Sequence, residues 1–130
     1  MGAAGRRKRL RKSLTMSHLQ QAAKMSQRLI DVARPYLDGI YDLDEYRKEL
    51  SLASAAWNLS LFPPETREEH MMKSLDPNAI EEEDRQLIAQ HLRELVRRKE
   101  RLFPGDRRLI AKVDVLDEGE AVRVLVTSLI

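Results

Sequence analysis

The sequence predicts an α+β fold in which helices pack against a C-terminal β-hairpin. Apolar residues recur every three or four positions up to about residue 103, and they alternate with polar residues after it. A length of 130 residues with 42% hydrophobic content fits one domain with a single core. We expect residues 16–130 to form this domain. Residues 1–15 show no apolar periodicity and are expected to be a disordered basic arm.

The helical part divides at prolines and capping residues into three or four helices. Pro35 is expected to kink or end the first helix, and Asp42 can cap the second. Trp57, the only tryptophan, is interpreted as the structural anchor of the second helix. Pro63 and Pro64 end that helix, and Pro64 suits the first turn of the third. The expected ranges are roughly 17–36, 43–62, 64–75 and 78–103.

The fourth predicted helix has its charges arranged to complement the helix dipole. Asp76 and Pro77 are expected to open it, and four acids, Glu81 to Asp84, occupy its first turns. Basic residues gather at its C-terminal end, and Pro104 follows them. This helix is therefore expected to be long and amphipathic.

The last 23 residues alternate in the manner of two strands, at roughly 108–116 and 120–128, joined by a "DEGE" turn. An isolated hairpin is marginal in water, so we expect one face to cover the first and fourth helices. The other face is predicted to expose apolar residues and the strand edges to remain open. The candidate interface residues on that outer face are Ile110, Leu116 and Leu125.

The residues give no indication of catalysis or of a bound cofactor. The chain has no cysteine, no Gly-x-Ser-x-Gly motif and no glycine-rich phosphate-binding loop. His91 and Glu94 lie three residues apart on one helix and could share a metal, but a packed, hydrogen-bonded histidine is the preferred interpretation. We therefore expect no catalytic residues, no metal and no cofactor.

Basic residues concentrate at the N-terminus. Residues 1–30 hold eight basic residues and no acid, whereas residues 31–130 hold 15 basic and 21 acidic residues. Such a cluster can neutralise phosphates, serve as a nuclear or organellar targeting label, or act only as a solubilising tail. With the bases near the end of the fourth helix, the candidate anion or nucleic-acid contacts are Arg6, Arg7, Lys8, Arg9, Arg11, Lys12, Arg97, Arg98, Arg101, Arg107 and Arg108.

Two functional hypotheses follow from these patterns. The first is a small non-enzymatic interaction or accessory module that docks a protein partner or a second copy of itself through the hairpin. The alternative is a nucleic-acid-binding protein that uses the basic arm and the arginines at the end of the fourth helix. A cytoplasmic location is expected because the chain lacks cysteine and any apolar run of membrane-spanning length, and no small-molecule ligand is inferred.

Overall fold

The computed structural model describes residues 24–119 and 121–129 and has the predicted α+β architecture. Within these residues it contains four helices followed by an antiparallel two-stranded hairpin. The predicted start of the first helix, at about residue 17, and the predicted basic arm lie outside the described residues. The elements are α1 (24–37), α2 (Leu43–Leu59), α3 (Pro64–Ser74), α4 (Glu82–Leu102), β1 (Leu109–Asp117) and β2 (Val122–Leu129).

Two predicted helix starts are confirmed. Asp42 is the N-cap of α2, where its carboxylate accepts a hydrogen bond from the Asp44 backbone N–H at 3.0 Å. Pro64 is the first residue of α3, a position whose N–H has no partner within the helix. Helix α1 continues through Pro35 to residue 37, so this proline lies in the last turn.

The predicted start of the fourth helix at residue 78 is wrong, because α4 begins at Glu82. The Asp76 carboxylate accepts a hydrogen bond from the Asn78 N–H, and its carbonyl accepts from Ala79 and Ile80. These bonds close a single turn before α4 begins. Aspartate followed by proline marks such a turn as well as it marks a helix start.

Trp57 lies at the centre of the core and is fully buried, as expected of an anchor. Its indole Nε1–H donates to the Arg108 backbone oxygen at 2.8 Å, and its ring lies 6.0 Å from that of Phe103. The core is otherwise aliphatic and draws on all six elements. Trp57 thereby joins α2 to the segment that leads into β1.

The hairpin contains a β-bulge that the strict alternation in the sequence did not predict. The register shifts between Ile110 and Lys112, which leaves Ala111 as an extra residue. The shift places Ile110 on the same face as Val115, and both are buried. The expectation that Ile110 faces outward is therefore wrong.

Of α2, α3 and α4, it is α2 that packs most extensively on β1, and not the predicted fourth helix. The Asn58 side chain bonds the edge of β1 twice, donating to the Ile110 carbonyl at 2.9 Å and accepting from the Ile110 N–H at 2.8 Å. Arg47 donates to the Val115 carbonyl at 3.1 Å. The outer edge of β1 is thus covered at two positions, which corrects the expectation of an open edge.

The opposite strand is tied to α1 by one buried polar contact. Ser26 Oγ accepts a hydrogen bond from the Val126 N–H at 3.1 Å, across 100 residues of sequence. A serine on the apolar stripe of α1 therefore serves the backbone of β2. Because buried N–H groups are costly when unpaired, this contact fixes the position of β2 on the helix.

We expect Asn58→Ala to lower the free energy of unfolding by about 1–3 kcal/mol, because it leaves a partly buried N–H and C=O of β1 without partners. Urea unfolding measures this change, and hydrogen exchange at the Ile110 amide should become faster. Asn78→Ala is the matched control, since Asn78 is exposed and contributes its backbone N–H to the turn. Equal stability of the two variants would contradict the role assigned to Asn58.

Candidate functional site

The corner between α4 and β1 is built around one buried carboxylate, Asp106. Arg108 donates to it through Nε at 3.0 Å, Nη2 at 2.6 Å and the backbone N–H at 3.2 Å. Arg28 of α1 donates through Nη1 at 2.7 Å. The backbone oxygen of Asp106 accepts from the Lys99 ammonium at 2.7 Å. We call these four residues the Asp106 cluster.

Aromatic rings cover the cations of this cluster. The Lys99 ammonium lies 5.0 Å from the centre of the Trp57 ring, and the Arg28 guanidinium lies 5.1 Å from that of Phe103. Both distances permit a favourable cation–π interaction. Lys99 is buried, and burial lowers its pKa while the nearby Asp106 opposes that effect.

The hydrogen bonds from Arg108, assisted by Arg28, lower the pKa of Asp106 to about 2 against the opposing effect of burial. Asp106 is therefore ionised at neutral pH and holds α1 beside the start of β1. From the sequence alone, Asp106 could pair with Arg107, with Arg108 or with the end of the fourth helix, since it lies between that helix and the two arginines. The structure shows Arg108 and adds Arg28, which is 78 residues away.

We expect Asp106→Asn to lower the free energy of unfolding near neutral pH by about 2 kcal/mol, the value that corresponds to the depressed pKa of Asp106. Because the folded-state pKa lies below the unfolded-state value, this stabilisation is fully present above about pH 4. It should be lost as the pH falls to about 2. Urea unfolding across this range, with wild type and variant side by side, measures it. A difference that stays constant down to pH 2 would contradict the ionised, paired state of Asp106.

The predicted cluster of arginines at the end of α4 is divided by the structure. Arg98 donates to the backbone oxygens of Val32 and Asp31 at 2.7 and 2.8 Å. Arg107 donates to the Leu61 carbonyl at 3.3 Å, and Arg108 is held by Asp106. These arginines link helices to loops. Of the five predicted arginines, only Arg97 and Arg101 are exposed and have no hydrogen bond or ion pair within the part of the chain that the structure describes.

The six basic residues at positions 6 to 12 lie outside the described residues, and their contribution to any anion site stays a prediction. On the described part of the chain, Arg97 and Arg101 are the predicted anion contacts that make no bond within the fold, and Arg107 is also exposed, with one bond to a backbone carbonyl. Arg97 and Arg101 are four apart on α4 and therefore share a face.

His91 is a packed histidine in a polar cluster between three helices. Its Nε2 lies 2.6 Å from the Glu49 carboxylate of α2. Its ring lies perpendicular to that of Tyr36, with 4.4 Å between the ring centres, and the Tyr36 hydroxyl donates to Glu94 at 2.8 Å. Burial, and then the bond to Glu94, raises the pKa of Tyr36. His91 is thus a packed, hydrogen-bonded histidine, as the preferred interpretation requires.

The outer face of the hairpin carries four leucines together with charged residues. Leu109 lies opposite Leu129, Leu116 lies opposite Arg123, and Leu125 lies opposite Asp114. Leu109, Leu116 and Leu129 are 43%, 44% and 53% exposed, and Leu125 is half-buried. We call this surface the hairpin face; its members are Leu109, Lys112, Asp114, Leu116, Arg123, Leu125, Thr127 and Leu129.

Two of the three predicted interface residues, Leu116 and Leu125, lie on the hairpin face, and Ile110 does not. Leu109 was missed because the bulge at Ala111 reverses the alternation for the first residues of β1. Leu129 was missed because the predicted second strand ended at residue 128, whereas β2 extends to Leu129. The run Leu109-Ile110-Ala111 was the available signal, since three successive apolar residues do not define which face of a strand is buried.

Comparison of the chain with protein-family models, curated proteins and solved structures finds no match. The described helices include none that is long and apolar enough to cross a membrane. Within the same residues, no group of three or more histidine and acidic side chains is arranged to hold a metal ion.

Proposed function

We propose that this protein is a non-enzymatic interaction module that self-associates through the hairpin face. The observation that carries the proposal is the set of four leucines on one side of a two-stranded sheet, three of them more than two-fifths exposed. Scattered exposed leucines are ordinary, but neighbouring ones on a regular surface are typical of an interface. The other side of the same sheet is already used to cover the helices.

The partner proposed is a second copy of the chain, because the hairpin face is complementary to itself. Near the middle of the face, the Lys112 ammonium lies 3.6 Å from the Asp114 carboxylate. In the proposed dimer the two hairpin faces stack about a two-fold axis that runs perpendicular to the strands at the level of these two residues. This axis sets Lys112 of one copy against Asp114 of the other. The same operation places the pair formed by Leu109 and Leu129 over Leu116 of the second copy. Such a contact uses the same patch on both copies, as two-fold dimers do.

The size of the face indicates a weak dimer. Strands of nine and eight residues present less than the roughly 800 Å² per partner that is usual in stable complexes. Association should therefore depend on protein concentration in the micromolar range or above. The absence of cysteine supports a reducing compartment such as the cytoplasm for this module.

We expect the full chain to sediment as a mixture of monomer and dimer whose mean mass rises with concentration through tens of micromolar and beyond. Leu116→Lys should keep the chain monomeric, because the dimer would bury two unpaired ammonium groups. Leu125→Lys should act in the same direction, with some loss of stability since Leu125 is half-buried.

Leu87→Lys is the matched control for Leu116→Lys. Leu87 is 64% exposed and lies on α4, away from the hairpin face. This variant should associate like the wild type, and thermal melting should show that all variants are folded. A wild type that stays monomeric, or a Leu116→Lys variant that associates as well as Leu87→Lys, would overturn the proposal.

Nucleic-acid binding is the alternative, and it is favoured by the two exposed arginines on one face of α4 together with the basic N-terminal cluster. It has less support, because three of the five arginines near the end of α4 already bond other parts of the fold. Any such binding would rest on phosphate contacts and would lack sequence preference.

Fluorescence anisotropy with a DNA duplex over a range of salt concentrations tests this alternative. If it holds, the logarithm of the binding constant should fall linearly with that of the salt concentration, by about 0.9 per phosphate contacted. Replacing Arg97 and Arg101 by glutamine should make that slope less steep by about 1.8, which corresponds to two phosphate contacts. No binding at low salt, or a slope that the substitutions leave unchanged, would remove the arginines of α4 from this role.

A further inference from the structure

A groove of about 220 Å³ lies between α3 and α4, on a surface that the hairpin does not contribute to. Its apolar part comes from Leu59 at the end of α2, Met71 of α3 and Val96 of α4. Leu59 and Met71 are almost fully buried and Val96 is half-buried, so these side chains form the floor. Charged side chains from both helices form the rim.

Two ion pairs cross the rim of the groove. Arg67 of α3 bonds Glu100 of α4 at 2.6 Å, and Arg93 of α4 bonds Glu68 of α3 through both Nε and Nη2. Arg67 also donates to the carbonyls of Ser60 and Phe62. The charges of these two arginines are therefore neutralised within the fold, and the pairs hold the helices at a fixed separation.

Arg97 is the remaining cation of the rim, and it differs from the other two. It lies one turn after Arg93 on α4 and lines the same groove. It is exposed and has no hydrogen bond or ion pair among the residues that the structure describes. The groove thus combines an apolar floor with one positive charge that forms no ion pair with any carboxylate among the described residues.

We propose that this groove binds an acidic peptide segment of a partner protein. One apolar side chain of the segment lies on the floor formed by Leu59, Met71 and Val96, and a neighbouring aspartate or glutamate bonds Arg97. The groove is smaller than the roughly 300 Å³ at which small-molecule sites begin, so it accommodates a single side chain. Binding must then draw on contacts that flank the anchor, which a peptide segment supplies and a small metabolite does not.

This site does not rest on the proposed self-association. The groove is formed by α3, α4 and the end of α2, whereas the hairpin face is formed by β1 and β2. Leu116→Lys should therefore leave peptide binding unchanged. A substitution that fills the groove should leave the sedimentation behaviour unchanged. The failure of one proposal is thereby distinguishable from the failure of the other.

Selection of a displayed library of random linear peptides against the full chain tests the proposal. We expect the enriched peptides to share an apolar residue close to an aspartate or glutamate. A synthetic peptide with that consensus should lose about tenfold or more in affinity on Arg97→Gln, as the loss of one charge-assisted hydrogen bond predicts. Replacing the peptide's acid by its amide should produce a similar loss.

Arg101→Gln is the matched control, because Arg101 is an exposed arginine of α4 that does not line the groove. It should leave the affinity within about twofold of the wild type, since unrelated surface substitutions change free energies by less than about 0.5 kcal/mol.

Val96→Phe, which adds bulk to the floor, should abolish binding, and a melting curve shows whether it remains folded. If Val96→Phe does not fold, the decision rests on Arg97→Gln alone. Failure to enrich any peptide, enrichment of peptides without an acid, or equal affinity of the Arg97→Gln and Arg101→Gln variants would overturn the proposal.

Discussion

The ionised carboxylate of Asp106 holds together segments that lie far apart in the sequence. It binds Arg28 from α1 and Arg108 from the start of β1, while its own carbonyl receives Lys99 from α4. A buried carboxylate without these donors would be costly, and the donors would be costly without the carboxylate. In the arrangement observed at this corner, each of these charged groups has a partner. Trp57 packs against the same corner, so the apolar core and the polar cluster fix each other.

Hydrogen bonds between side chains and the backbone also hold the hairpin in position. Asn58 bonds both backbone groups of Ile110, and Ser26 accepts from Val126. A two-stranded hairpin has too few bonds of its own to persist in water, so these contacts, together with its buried face, determine where it lies. They also occupy parts of its edges. The leucines of the hairpin face lie on the other side of the sheet, away from the helices.

The arginines have two kinds of role in this fold. Arg98 donates to carbonyls of α1, Arg85 donates to those at the end of α3, and Arg67 does so after the end of α2. The carbonyls at the ends of α2 and α3 lack partners within their helices, and that of Asp31 lacks one because Pro35 has no N–H. A guanidinium supplies several donors at once. A high arginine content is therefore used largely for internal bonding. Arg97 and Arg101 are left outside this network, and Arg97 gives the groove between α3 and α4 its positive charge.

The sequence by itself determined the order and type of the elements, because apolar periodicity, prolines and caps act over short distances. The α+β class, the cap at Asp42, the start of α3 at Pro64 and the burial of Trp57 all followed from it. The tertiary structure alone decided the bulge at Ala111, which moved Ile110 to the core face. It also decided which partner each arginine takes and that a groove exists between α3 and α4. Those features depend on contacts between residues tens of positions apart, and spacing along the chain carries no information about which distant donor and acceptor will meet.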